Sequence, residues 1–191
     1  PQQWTVSGLR REEKGRGLAA LRPLVPARLG RGEYVGYRDE EGVAPGSTVE
    51  TFVAAKLEID SWRWAGVPWY VRCGKALTAN ATEVVVEFRE PPALLFDEAG
   101  GPTPERNLVR FRLGKQDGVT FTLQAKTPGE HLDSQQVDIS VDFAAALGER
   151  RHAYERLLGD ALAGGPRRFA RERLKAQTWP AVAPAPRHRS G

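Results

Sequence analysis

The chain contains no methionine and a single cysteine, Cys73, among its 191 residues. One cysteine excludes an internal disulfide and any multi-cysteine metal site. Such usage fits a reducing, cytoplasmic compartment. With Pro1 first and no methionine anywhere, the sequence reads as part of a longer protein, cut near a domain boundary. No apolar run approaches the ~20 residues that span a bilayer. The opening PQQWTVSGLRREEKG lacks the apolar segment of a secretory signal, so no membrane partner is expected. No G-x-G-x-x-G follows a strand pattern, and neither a phosphate-binding loop nor G-x-S-x-G occurs. The three histidines, His131, His152 and His188, do not stand at metal-ligand spacing with a second ligand. No metal site and no catalytic residue is therefore predicted.

Hydrophobic residues make up 40% and charged residues 27% of the chain, which suits a folded domain with a real core. The formal net charge is +4. Attraction to an anion is one reading of that excess. However, the basic residues alternate with acidic ones, as in RREEKGR and YRDEEG, rather than clustering with aromatics. No nucleic-acid partner is expected.

Residues 1–9 read as a linker remnant. Residues 10–21 fit a short helix ended by Pro23 and Pro26, and residues 30–50 a Gly/Pro-rich extended loop. The period then changes to two. Val53, Ala55, Leu57 and Ile59 share a face, as do Val84, Val86 and Phe88. The same alternation places Val109, Phe111 and Leu113 together, then Val119, Phe121, Leu123 and Ala125, then Val137, Ile139, Val141 and Phe143. Strands with one apolar and one polar face, without helices between them, predict an antiparallel sheet. VPWYVRC (67–73) is a further strand candidate. Near the end, Tyr154, Leu157, Leu158, Ala161 and Leu162 recur at helical spacing, stopped by Gly164-Gly165-Pro166. A weaker helix is predicted over 167–177, and the Pro-rich residues 181–191 read as a mobile tail. The fold class is α+β: a large, mostly antiparallel sheet with helices packed on one face.

Two positions carry possible chemistry. Cys73 stands beside Arg72 and Lys75, cations that favour a thiolate, although a small buried hydrophobe is the more frequent role of such a cysteine. In SWRWAGVPWYVRCGKAL (61–77), Gly74 removes side-chain bulk next to Lys75 at a strand end. That suits a lysine reaching an oxygen-rich ligand, and equally a solvated lysine.

The stretch Ser47–Leu77 resembles the central signature of the C-terminal domain of the glucose-6-phosphate dehydrogenase family, with R-W-x-G-V-P followed by R-x-G-K-x-L. The likeness continues in order through most of the chain. It takes in Glu13-Lys14, Arg31-Gly32-Glu33-Tyr34, Thr82-Glu83-Val84 and Arg106-Asn107. Beyond them come Lys126 with Pro128 and Gly129, and Tyr154-Glu155-Arg156-Leu157 with Asp160. The resemblance makes residues 10–180 a domain that closes a substrate cleft and assembles a homodimer or tetramer through its sheet. The partner domain it implies is an N-terminal Rossmann unit carrying NADP and the catalytic histidine, and it implies the oxidation of glucose 6-phosphate to 6-phosphogluconolactone. The present chain by itself is then expected to be inactive.

The resemblance further implies that Lys75 contacts the substrate sugar, and that Arg72 and Arg112 match arginines which hold a second, structural NADP in some members. Both arginines read equally well as surface strand charges, and for Arg112 that reading is the preferred one. Asn80 stands where a second basic substrate contact is usual, and Gly114 where some members have glutamine. The family's acidic pair near the last helix is not apparent in ARERLKAQTW. These departures keep open an alternative, a non-catalytic or divergent sheet domain retained for assembly.

Overall fold

The computed structural model describes residues 15–90, 104–114, 116–130, 133–148, 152–165 and 172–183. The linker remnant, Glu13-Lys14, His131 and His188 lie outside the described residues. The chain forms two compact units, one of Pro1–Thr78 with Tyr154–Gly191, the other of Ala79–Ala153.

In the first unit, residues 15–19 are helical, and Pro26 opens a single 3-10 turn, Pro26–Arg28. Strands β1 (Leu29–Gly32), β2 (Phe52–Leu57) and β3 (Trp69–Gly74) form an antiparallel sheet in the order β1-β2-β3. All of β1 but Leu29 falls within residues 30–50, the stretch expected to be loop. Its sequence, LGRG, has no apolar alternation to announce it, and the strand exists because its backbone pairs with β2, Leu29 opposite Ala55 and Gly32 opposite Phe52. Ile59 falls just beyond β2 and bridges to Leu21, flanked by Arg22 N–H donating to Glu58 O (2.9 Å) and Asp60 N–H to Ala20 O (2.7 Å). The helix Glu172–Val182 continues through Pro180, so Ala181 and Val182 belong to it rather than to the tail. Ala181 accepts a hydrogen bond from Leu24 N–H (2.7 Å), and both residues are buried.

In the second unit, β4 (Thr82–Glu87), β5 (Leu108–Leu113), β6 (Gly118–Lys126) and β7 (Ser134–Asp142) form an antiparallel meander in chain order. The register joins Val84 to Phe111, Val86 to Val109, Val109 to Phe121, Phe111 to Val119, and Phe121 to Ile139. Because side chains alternate along each strand, these residues make one continuous apolar face. Arg110, Thr120 and Ser140 share the opposite face, where the Thr120 and Ser140 hydroxyls bond at 2.9 Å and Thr122 Oγ1 donates to Asp138 at 2.6 Å.

Several motif residues prove to be fasteners of this sheet. Asn107 accepts Gln124 N–H on its side chain (2.9 Å) and Phe88 N–H on its carbonyl (3.0 Å), tying β5 to both neighbours. Arg106 pairs with Glu87 and Glu90. Lys126 Nζ donates to the carbonyls of Thr127 (3.1 Å) and Gly129 (2.6 Å), closing the β6–β7 turn. A short helix, Phe143–Leu147, follows β7 and is capped by Asp142, whose carboxylate accepts Ala145 N–H (2.9 Å).

The α+β class and the antiparallel pairing expected from periodicity therefore hold. The strands are divided between a three-stranded and a four-stranded sheet.

Candidate functional site

Lys75 follows the last residue of β3. Its N–H donates to Thr51 O at 2.8 Å, which anchors the backbone to the residue preceding β2. Gly74 lies opposite Phe52 in the ladder. A Cβ on Gly74 would stand 2.9 Å from Phe52 Cδ2 and 3.3 Å from Thr51 O, too close for a rigid neighbour. Glycine is therefore what lets the strand end approach β2. Ala76 then turns the chain at φ 49°, a left-handed conformation that disfavours any residue with a Cβ. Lys75 itself is exposed.

Arg22, Arg28, Arg31 and Arg38 of the same unit all form ion pairs, with Glu58 and Asp60, Glu58, Glu50 and Glu33 respectively. Lys56 and Arg63 lie over the rings of Tyr70 and Trp64. Among the described residues, Lys75 and Arg72 have no such partner. Both are exposed, and Arg72 sits on β3 opposite Ala54. An ammonium left unpaired at a tightly held strand end is available to an incoming oxygen ligand.

The other expected site residues lie in the second unit. Asn80 is exposed. Arg112, on β5, is half-buried, and its Nε is buried without an acceptor among the described residues. The guanidinium lies across Gly118, where a Cβ would come 2.7 Å from Nη2. Gly114 takes φ 115° in open space, a turn conformation in which glutamine would be strained.

Cys73 is exposed, not a buried hydrophobe. β3 is an edge strand, which leaves its side chains uncovered on one flank. The tryptophan cluster divides: Trp64 and Trp69 stack edge to face at 4.9 Å, while Trp62 is 93% exposed. Trp62 and Trp64 line an open cavity of about 550 Å³ with Arg22, Lys56, Glu58 and Asp60. No group of three or more potential metal ligands occurs among the described residues.

Thr51 lies within the signature stretch Ser47–Leu77, but nothing in that stretch gives it a role. Its role is visible only when the three segments it joins are placed together.

The model of the glucose-6-phosphate dehydrogenase C-terminal domain matches residues 6–190. The chain belongs to that family. Glucose-6-phosphate 1-dehydrogenase 1 of Mycobacterium tuberculosis is 43% identical over 175 residues, covering 91% of this chain and 36% of that protein. Glucose-6-phosphate 1-dehydrogenase of Aggregatibacter actinomycetemcomitans is 38% identical, covering 91% of this chain and 37% of its own length. The crystal structure of the Mycobacterium avium glucose-6-phosphate 1-dehydrogenase superposes with a TM-score of 0.82 at 35% identity, over 96% of this chain and 39% of that one. A glucose-6-phosphate dehydrogenase solved in complex with glucose 6-phosphate superposes with a TM-score of 0.80 at 27% identity, over 94% of this chain and 38% of that one. The chain thus spans well under half the length of the dehydrogenases it matches, and within the glucose-6-phosphate dehydrogenase family it corresponds to their C-terminal domain.

Proposed function

We propose that this chain serves as the substrate-closing and assembling domain of an NADP-dependent glucose-6-phosphate dehydrogenase. In that enzyme Lys75 donates a hydrogen bond to a hydroxyl or phosphoryl oxygen of glucose 6-phosphate. The observation that carries this reading is the ammonium of Lys75, without an ion-pair partner among the described residues, fixed at its backbone by Thr51 and given room by Gly74. Its chemistry suits an anionic, oxygen-rich ligand. Asn80, without charge, offers an amide in place of a second cation.

NADP accepts the hydride from the sugar when bound to the complete enzyme. No residue described here is assigned to that step, so this chain alone is expected to be inactive. Toward a second, structural NADP, Arg112 fits best. Its guanidinium carries a buried Nε–H that lacks an acceptor among the described residues, and a phosphate oxygen would supply one. Arg72, exposed on β3, is a second free cation for the same class of ligand.

The sheet of the second unit supports assembly. Val84, Phe111, Phe121, Ile139 and Val141, on its apolar face, are between 39% and 53% exposed. An apolar face of that extent is unfavourable in water and suits a self-complementary contact with a second copy. Metabolism of glucose in a cytoplasmic pentose phosphate pathway is consistent with the single cysteine, and no helix among the described residues is long and apolar enough to cross a membrane.

The test is a chimaera in which this chain replaces the matching C-terminal part of the Mycobacterium tuberculosis relative. The chimaera is expected to oxidise glucose 6-phosphate. Lys75→Ala in it should raise KM for glucose 6-phosphate by about tenfold or more, the loss of one charge-assisted hydrogen bond of roughly 1.5–3 kcal/mol. An unchanged KM would remove Lys75 from the site.

A further inference from the structure

Thr51 makes three hydrogen bonds to two other segments, the end of β1 with the loop that follows it and the end of β3. Its N–H donates to Gly32 O at the end of β1 (2.9 Å), and its carbonyl accepts Lys75 N–H (2.8 Å). Its hydroxyl oxygen accepts Tyr34 N–H (2.9 Å). A single half-buried residue thus pins β1, the loop entered at Tyr34, and the backbone of Lys75.

The loop is braced in turn. Tyr34 Oη donates to Glu40 at 2.7 Å, and the Tyr34 and Tyr37 rings meet edge to face at 5.5 Å. On the other side, the Gly74–Phe52 approach and the left-handed turn at Ala76 leave the backbone of Lys75 little freedom to move away from Thr51. A lysine side chain is long and flexible, so the volume its ammonium can reach is set by where its backbone is held. Small displacements of a ligand-holding group are felt strongly in affinity and rate.

We propose that Thr51 is the positioning residue of Lys75, and that its hydroxyl couples Lys75 to the Tyr34 loop. Thr51 does not touch the ligand. It acts through the Lys75 backbone, and the proposal rests on the assignment of Lys75 as a glucose 6-phosphate contact.

Thr51→Val keeps the shape and deletes the hydroxyl acceptor, whereas Thr51→Ser retains it. In the chimaera, Thr51→Val removes the Tyr34 brace while leaving the carbonyl bond to Lys75 in place, and the loosened strand entry should raise KM for glucose 6-phosphate about fivefold with kcat within about a factor of two. Thr51→Ser should restore the parent KM. If Lys75→Ala raises KM while Thr51→Val leaves it unchanged, the coupling of Lys75 to the Tyr34 loop through the Thr51 hydroxyl is overturned and the substrate contact stands. If Lys75→Ala itself has no effect, the substrate assignment fails and the proposal with it.

Amide hydrogen exchange on the unsubstituted chain gives a readout independent of activity and of how well Thr51→Val folds. The Lys75 and Tyr34 amides should both exchange at least about tenfold more slowly than in an unstructured peptide. An unprotected Lys75 amide would overturn the proposal whatever the kinetics show.

Discussion

Gly118 opens β6 at the tightest approach in the four-stranded sheet. A Cβ there would stand 2.4 Å from Val141 O and 2.7 Å from Arg112 Nη2. The arginine is a flexible tip and can swing aside. The carbonyl belongs to the backbone of β7, next to the Gly118–Asp142 pair, and cannot. Gly118→Ala must therefore push β6 and β7 apart at their junction. It must also disturb Asp142, whose carboxylate caps the helix Phe143–Leu147. Overpacking of this kind costs about 2 kcal/mol, which for a unit as small as Ala79–Ala153 is a fall in Tm of about 10 °C. Gly159 provides the internal control. It lies within the helix Ala153–Leu162, and nothing stands within 4 Å of the position its Cβ would take. Gly159→Ala should raise stability by up to about 1 kcal/mol, the ordinary helix preference for alanine. Thermal unfolding followed by circular dichroism gives both values. Equal and small changes in the two variants would refute the close approach at Gly118.

Two further outcomes are expected. The carboxyl of Glu58 is held below the ordinary glutamate range, first by the hydrogen bond from Arg28 and then by the charges of Arg28 and Arg22. A carboxyl whose pKa is lower in the folded chain adds stability that is complete above its unfolded value and is lost as pH falls through the lowered one. Glu58→Gln should therefore lower Tm slightly near neutral pH, and the difference from the parent should shrink as pH falls below the ordinary glutamate range and vanish once the pH is below the lowered pKa. A difference that persists in acid would point to packing rather than charge. Separately, Ile139, 53% exposed on the apolar face, is the place to test assembly. Sedimentation should find the parent chain dimeric and Ile139→Lys monomeric with its circular dichroism unchanged. A parent chain that sediments as a monomer at every concentration would sink the sheet-to-sheet contact.

The periodicity of the chain was enough to place β2 and β4 to β7, since each carries its own alternation of apolar and polar residues and needs no partner to be recognised, whereas β3 was marked only as a more uniformly apolar run. β1 was hidden because LGRG is a strand only through its pairing with β2. The cysteine was misjudged for a related reason. An apolar neighbourhood in sequence, VPWYVRC, does not reveal that β3 is an edge strand with an exposed flank.

The site shows the same division. Sequence alone marked Lys75, because a glycine before a lysine at a strand end is a local pattern, and the family signature around it is contiguous. It also marked Arg72, Arg112 and Asn80, but placed them in one motif-ordered line. The tertiary structure put Lys75 and Arg72 in one unit, and Asn80 and Arg112 in the other. Motif residues such as Asn107 and Lys126 turned out to tie strands and turns together. Thr51 is the clearest case of what only the fold decides. Its three partners, Gly32, Tyr34 and Lys75, lie up to 24 positions away (75 − 51 = 24), and hydrogen bonds across such separations leave no trace in spacing or composition. Local chemistry and alternation determined which residues form strands and which cation stands at a strand end. Long-range pairing decided how that cation is held, because only pairing brings distant backbone donors and acceptors within reach of one another.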